Sequence, residues 1–298
     1  MAAPTTGVQL FSLGWIADWI DKSITTMLTD VVTPLVASVT EKIMPVVGLG
    51  LSIALIWYGW LIMNGTIQTP ILQATRKLVS IAVIVGIAGA GGLYQRQIAG
   101  VMLDLPTDVA KIFTGTIKTP AQIMDDAANN GTEISTRLQE RAPTGLKNIG
   151  KAFVFMLIAL IITIISSIMS AIGMIVLITV KLGMGLVVVL GPLCILALLF
   201  EVTKDFFKYW LAQAAYYAIY AGLFMVVFMF IMGMFGMLQK GLLDTTNADQ
   251  INVFGMLTAL IFFMMCAQQM LAQVSMIASK ITNGAGNGVS VPFLGKIG

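Results

Sequence analysis

The sequence predicts an all-α, polytopic membrane protein, and three observations lead to that class. Hydrophobic residues make up 58% of the 298-residue chain and charged residues only 10%, whereas soluble domains carry about 25% charged residues. Mean hydropathy is +0.92. Charge-free apolar runs recur along the chain, and most reach the ~20 residues that a helix needs to cross a hydrocarbon layer of ~30 Å.

The candidate spans are these charge-free runs. They occupy residues 44–63, 78–93, 152–180, 182–200, 210–238 and 251–278. The run 182–200 contains Gly191 and Pro192, both of which disfavour an unbroken helix. It is either a sixth span or a broken, re-entrant pair of half-helices, which requires burial in protein or a wet cavity. The short run 78–93 is followed by Tyr94, an aromatic residue that suits the membrane interface.

Lysine and arginine set the expected orientation, because short cytoplasmic segments retain more of them than outer segments do. With five spans, a broken segment and the N-terminus outside, the inner segments carry Arg76, Lys77, Lys181, Lys204, Lys208, Lys280 and Lys296. The short outer segments carry only Lys22, Lys42 and Lys240. A topology with six spans would place four of these lysines on the outer side, namely Lys204, Lys208, Lys280 and Lys296. We therefore expect about five transmembrane helices plus the broken segment, with the C-terminus in the cytoplasm.

This topology divides the chain into five parts. We expect an N-terminal amphipathic helix in residues 1–43, a two-span unit in 44–93 and a central periplasmic loop in 94–151. A C-terminal membrane bundle follows in 152–278. A glycine-rich, flexible tail completes the chain in 279–298.

The N-terminal helix is predicted from apolar residues that recur at helical spacing through 8–43. Trp15 and Trp19 lie one turn apart, as suits anchors at the level of the lipid headgroups. Pro34 is expected to bend the helix before the first span. The helix is either a surface-lying anchor or a docking helix for a periplasmic partner.

The central loop, residues 94–151, is the largest polar region of the chain. Pro106 is expected to interrupt it. Segments 107–117 and 121–129 are predicted as short helices, with Asn129-Asn130-Gly131 as a turn. A loop of this size can pack as a small periplasmic cap.

The residues that enzymes use are scarce. The chain has no histidine, the commonest general base and metal ligand, and no nucleotide-binding glycine-rich loop. We predict no catalytic, cofactor or metal site and no enzymatic activity. Cys194 and Cys266 are expected to be buried as small hydrophobic residues. The apolar half of the chain contains no charge inside its spans beyond Lys181, which argues against an ion-coupled transporter.

Weakly polar residues form stripes on two of the spans. Thr163, Ser167 and Ser170 lie on one helix face, and Gln269 and Gln273 lie on one face of the last span. Such residues either bond to neighbouring helices or line a conduit. The sequence is compatible with both interpretations.

One string, LGPLCILALLFEVTKDFFKYWLAQ at residues 190–213, joins an apolar LGPL element to a short polar stretch and an aromatic group. This arrangement resembles the TrbL-type polytopic inner-membrane subunits of bacterial type IV secretion and conjugation systems. The matching positions are Gly191, Pro192, Phe206, Phe207, Trp210 and Leu211. Glu201 and Asp205 depart from the family, whose members are often more basic there.

The resemblance implies a homo-oligomeric ring in the bacterial inner membrane that scaffolds pilus biogenesis and passes DNA or protein outward. The implied partners are the minor pilin or stalk subunit, the major pilin, the secretion ATPases, the translocated DNA or protein, and lipid. In this view Gly191-Pro192 breaks the helix and the aromatic residues fix its exit at the interface. The alternative is a stand-alone transporter or channel for a small solute, which would act without partners.

Overall fold

The computed structural model describes residues 15–65, 70–89, 91–140, 142, 149–245 and 253–282. In this part of the chain the protein is all-α, as predicted, and it contains no strand. The helices are α1 (Ile16–Met63), α2 (Pro70–Ala88), α3 (Ala99–Thr114), α4 (Pro120–Glu140), α5 (Ile149–Leu196), α6 (Lys204–Thr245) and α7 (Val253–Ile281). Residues 1–14 of the predicted N-terminal helix and the tail beyond Thr282 lie outside the described residues.

Four helices in the described part are long and apolar enough to cross a membrane, namely α1, α5, α6 and α7. The predicted runs 152–180 and 182–200 are not separate elements, because α5 contains all of the first run and the second as far as Leu196. The predicted span 78–93 is not among the four. Its helix, α2, ends at Ala88, and Gly91 follows with a positive φ of 71°, which a glycine adopts at little cost.

The first helix joins two predicted parts without a break. α1 has 48 residues and keeps Pro34 and Pro45 inside it, so the predicted boundary at residue 43 lies within a helix. At about 1.5 Å per residue it is about 72 Å long, more than twice the ~30 Å hydrocarbon layer. Asp30 and Glu41, one turn before each proline, are exposed. Water can therefore bond to the carbonyl groups that each proline leaves without a donor.

Helix α5 lies at the centre of the bundle and contacts every other α-helix. It is also 48 residues long. Leu28 of α1 faces Gly185, and Gly50 further along α1 faces Phe200 at the end of α5, so α1 runs parallel to α5. Helix α6 returns antiparallel to α5, and α7 packs antiparallel on α6, where the rings of Phe235 and Phe263 stack 5.3 Å apart.

The central loop is more ordered than predicted and lies beside the long helices. α3 packs on α6, and α4 packs on α5. Pro106 is buried inside α3, and α4 continues through Asn129-Asn130-Gly131, so the predicted turn there is wrong. The reason is tertiary packing: a Cβ atom at position 131 would collide with Ser166 of α5. Glycine therefore permits a close helix contact at this point.

Two hydrophobic clusters hold the bundle together. One contains buried residues of α4, α5, α6 and α7, with Phe224, Phe228 and Ile162 among its largest members. The other contains buried residues of α1 and α3, of the C-terminal part of α5 and of the N-terminal part of α6. Tyr94, Met184 and Trp210 are among its members. The string that carries the family resemblance contributes Cys194, Ile195, Leu196 and Trp210 to this second cluster.

Candidate functional site

The predicted break at Gly191-Pro192 is absent. α5 continues to Leu196 and passes through two short 3₁₀ turns, with Phe200 extended between them, before α6 begins at Lys204. Residues 182–200 therefore form neither a separate span nor a pair of half-helices. The chain reverses direction at Phe200, about two turns after the proline.

A hydroxyl group from another element explains why the helix survives Pro192. A proline nitrogen has no hydrogen, so the carbonyl of Val188, four residues earlier, loses its usual helical partner. The Tyr94 hydroxyl donates to that carbonyl oxygen at 2.7 Å. Because Val188 and Tyr94 are both fully buried, water does not reach this carbonyl, and leaving it unpaired would cost about 1–3 kcal/mol.

A second donor reaches the preceding carbonyl. The Trp210 indole nitrogen, on α6, donates to the carbonyl oxygen of Val187 at 2.7 Å. The Trp210 ring lies 6.3 Å from the Tyr94 ring and 5.6 Å from the Phe207 ring, measured between centroids. Two consecutive carbonyl groups of α5 thus receive side-chain donors from two other elements.

Gly191 makes room for this arrangement. A Cβ atom at position 191 would collide with the Tyr94 hydroxyl and ring. A single π-helical turn, Tyr94–Ile98, precedes α3 and holds the tyrosine in place. We call the set of Tyr94, Gly191, Pro192, Phe207 and Trp210 the Gly-Pro cluster.

The structure brings together four of the six predicted assembly residues. Phe206 and Leu211 are 56% and 52% exposed and face away from the Gly-Pro cluster. Tyr94, which we expected at the membrane interface, is buried instead. Its position two residues after Gly92 is the one sequence signal for it, and that signal does not identify a partner on α5.

A separate set of contacts fixes the beginning of α1 to the bundle. The Asp125 carboxylate of α4 accepts hydrogen bonds from the backbone nitrogens of Ala17 and Asp18, each at 3.0 Å. Desolvation by burial raises the pKa of this carboxyl above its usual range, although both backbone hydrogen bonds lower it. Asp125 thereby caps a helix that has no side-chain cap of its own at Trp15.

Lys181 also joins α1 to α5. Its ammonium lies 2.7 Å from the Asp21 carboxylate and 2.9 Å from the Thr25 hydroxyl, with both charged side chains largely buried. Lys181 is thus an internal partner of Asp21 within the bundle and not a residue of a connecting segment, and the predicted orientation then depends on the other basic residues. Losing one partner would leave a buried charge unpaired, which is strongly destabilising.

The sequence also matches the model of a known protein family. Residues 51–271 match the model of the TrbL/VirB6 plasmid conjugal transfer protein family. The chain belongs to this family. The match runs from the last third of α1 into α7 and includes the whole Gly-Pro cluster. No curated protein matches the sequence.

Family membership confirms the resemblance and makes the protein a membrane-embedded component of a conjugal transfer or type IV secretion system. The TrbL/VirB6 family is a structural component of conjugation and not a known enzyme family. Within the described residues, no three acidic, cysteine or histidine side chains converge as they would around a metal ion.

The polar stripes of this TrbL/VirB6 subunit differ in their surroundings. The Thr163 and Ser167 hydroxyls donate to carbonyls one turn earlier in α5, and buried Ser170 donates to the Met124 carbonyl of α4 at 2.9 Å. In contrast, Gln269 and Gln273 are exposed on the outer face of α7. The first stripe is engaged in packing within the chain, and the second is free to meet another molecule.

Three further predictions concern residues at the surface. Trp15 and Trp19 are more than half exposed, and their rings meet edge to face at 6.4 Å; their role as membrane anchors stays a prediction. Cys194 is buried as expected. Cys266 is exposed, so the prediction for it is wrong, because it lies on the outer face of α7 rather than on the face that packs against α6.

Proposed function

We propose that this TrbL/VirB6 subunit forms a ring in the bacterial inner membrane that scaffolds pilus assembly and passes DNA or protein outward. The observation that carries the proposal is that charged and apolar surfaces occur at the same level of the bundle. Glu133 and Arg137 are exposed on α4, opposite the part of α5 where Leu160 and Ile164 are exposed. The level is fixed by Gly131, which packs on Ser166.

Contact between a charged side chain and the acyl chains of lipid costs free energy. A subunit with one face suited to lipid and another suited to water at the same level fits a ring around an aqueous axis. The exposed charges of α3 and α4 would then face water or a partner. The apolar surfaces of α5, α6 and α7 would face lipid and neighbouring subunits.

The length of α5 supports assembly with other chains. Large apolar residues are exposed from Phe153 to Leu193, a distance of about 60 Å along the helix. A hydrocarbon layer of ~30 Å covers only about half of that length. Protein must cover the rest, and we assign this role to further copies of the chain and to pilin or stalk subunits.

The proposed topology keeps the N-terminus and residues 94–151 in the periplasm and the C-terminus, with the tail 279–298, in the cytoplasm. It requires α2, whose 19 residues are about 28 Å long, to cross the membrane as well as α1, α5, α6 and α7. Lys181 is paired inside the bundle and does not support this orientation. The orientation is supported instead by Arg76, Lys77 and Lys204, which line one cavity at the α5–α6 turn. Basic residues gathered at one end of a bundle favour the cytoplasmic side. Since no nucleotide-binding motif occurs in the chain, energy would come from the partner ATPases.

The experiment compares two aromatic residues of the same turn. Trp210→Ala removes a donor of the Gly-Pro cluster, and Phe206→Ala removes an exposed ring. We expect Trp210→Ala to reach the membrane at normal levels but to yield less assembled complex on native gels and less conjugal transfer. Phe206→Ala should keep assembly and transfer close to wild type.

Normal assembly and transfer of Trp210→Ala would contradict the assembly role of the cluster. A small-solute flux through liposomes that contain only this chain would favour the stand-alone transporter. The liposome experiment and the transfer assay together separate the two functions, since a platform subunit transfers nothing without its partners.

A further inference from the structure

A cavity of about 640 Å³ lies between α1, α2 and the turn that joins α5 to α6. Its volume is in the range of small-molecule and lipid headgroup sites. One side is aliphatic, with Leu51, Leu55 and Ile84 among the lining residues. The family resemblance and the Gly-Pro cluster assign no role to this cavity.

The other side of the cavity is basic. Among the described lining residues, Arg76, Lys77 and Lys204 are basic and Glu201 is acidic, so these four side chains have a net charge of +2. In the described part of the chain, neither Arg76 nor Lys77 is in an ion pair. Lys204 is 3.6 Å from Glu201, but the Glu201 side chain is 91% exposed, and such exposed pairs are weak.

A polar atom next to this cavity also lacks a partner. Lys77 lies over the Tyr58 ring, 4.8 Å from its centroid, and the buried Tyr58 hydroxyl forms no hydrogen bond. The aromatic ring holds the ammonium at the cavity by a cation–π interaction. The cation is thus positioned by the fold without being neutralised by it.

We propose that this cavity binds an anionic phospholipid. The phosphate would lie among Arg76, Lys77 and Lys204, with charge-assisted hydrogen bonds from the guanidinium. The acyl chains would follow the aliphatic side along α1 and α2. Basic pockets between transmembrane helices are suited to anionic headgroups for this reason.

The lining of the cavity favours lipid over the phosphates of a nucleic acid. Single-stranded DNA is held by bases stacked on aromatic side chains along a basic groove. Among the described residues that line this cavity, Phe200 is the one aromatic residue, and its ring already packs against Gly50 of α1. An aliphatic wall beside a cluster of cations matches a molecule with an anionic head and an apolar tail.

The test is lipid binding by the full-length purified protein, measured by native mass spectrometry with added phosphatidylglycerol or phosphatidylcholine. We expect a clear preference for phosphatidylglycerol. Arg76→Gln with Lys77→Gln should weaken its binding about 25-fold, since each basic residue near an anionic headgroup is worth about fivefold. Lys118→Gln with Arg137→Gln removes two exposed cations of the α3–α4 region and should change binding little.

Two further variants test the charge and the shape of the cavity separately. Glu201→Gln removes the acidic residue among the described lining residues and should strengthen phosphatidylglycerol binding. Ala54→Phe narrows the aliphatic side without changing any charge and should weaken it. Circular dichroism and gel filtration check that each variant is folded.

Equal binding of the two lipids, or unchanged binding by the Arg76→Gln, Lys77→Gln protein, would overturn the proposal. So would binding of a single-stranded oligonucleotide that depends on these two residues and persists in excess phosphatidylglycerol. The result does not depend on the proposed ring, because a monomer would contain the same cavity.

Discussion

Helices α1 and α5 have the same length of 48 residues and both contain proline, but they accommodate it in different ways. Pro34 and Pro45 of α1 follow exposed residues, so water can satisfy the carbonyls that they release. Pro192 of α5 is buried, and its released carbonyl is satisfied by Tyr94, which is far away in the sequence. The prolines of α1 therefore need no partner from elsewhere in the chain, whereas the proline of α5 depends on a tertiary hydrogen bond.

The largest expected effect comes from a glycine in each helix. Gly191→Ala places a Cβ atom where the Tyr94 hydroxyl lies, so it should destabilise the protein by about 2–5 kcal/mol through overpacking and a lost hydrogen bond. Gly48→Ala is the matched control in α1, where nothing lies within 4 Å of the added atom. It should be neutral or stabilise by up to about 1 kcal/mol. Thermal unfolding in detergent measures both, and equal melting temperatures would contradict the comparison.

A double-mutant cycle sharpens the role of Tyr94. Tyr94→Phe keeps the ring but removes the donor to the Val188 carbonyl, and should cost about 1–3 kcal/mol. Pro192→Ala restores a backbone N–H that can bond to the same carbonyl. In that background, Tyr94→Phe should cost much less. Additive effects of the two substitutions would show that the hydroxyl does not compensate for the proline.

The same cycle with a proline of α1 provides the control. Pro45→Ala changes a helix whose carbonyl is open to water, so the cost of Tyr94→Phe should be the same with and without it. A coupling between these distant positions would mean that the substitution disturbs the bundle generally.

A smaller effect is expected at the start of α1. Asp125→Ala removes the acceptor for the Ala17 and Asp18 backbone nitrogens and should cost about 1–2 kcal/mol. Asp125→Asn should cost less, because an amide oxygen still accepts one of these bonds. Unfolding experiments in detergent measure the difference, and equal stability of Asp125→Ala and wild type would exclude a capping role.

The pH dependence of stability tests the charge on Asp125. Burial raises the pKa of this carboxyl in the folded state, so the folded protein holds the proton more tightly than the unfolded chain does. Its contribution to the free energy of unfolding therefore falls as pH rises from the ordinary value of 3.8 through the raised one. Asp125→Asn should lack this fall; a fall of the same size in the variant would assign it to another group.

Some of this structure follows from the sequence. Composition and apolar runs predict the helical membrane class, and the string at 190–213 indicates four residues that do meet at one place. Local rules fail where a distant residue intervenes. Gly191-Pro192 ought to end a helix, but Tyr94 and Trp210 supply the missing hydrogen bonds. Asn129-Asn130-Gly131 ought to turn, but the close contact with Ser166 keeps it helical.

The sequence predicts less well which residues are exposed on the surface of the bundle. Exposed Cys266, Gln269 and Gln273 lie on a helix that has apolar residues on both its packed and its outer face, so hydrophobic periodicity does not distinguish the two faces. The environment of a charged residue is equally hard to predict from the sequence. Lys181 is an example, because its partner Asp21 lies in another helix. Both cases require the register between helices, which a single sequence does not contain.

We propose above that this TrbL/VirB6 subunit, with one face suited to lipid and another suited to water, assembles with copies of itself. The most direct measurement is the particle mass and symmetry of the detergent-purified full-length protein, alone and with its secretion partners, by native mass spectrometry and electron microscopy. We expect a closed ring, with α3 and α4 towards the aqueous axis or a bound partner. A monomer or simple dimer under all of these conditions would contradict it.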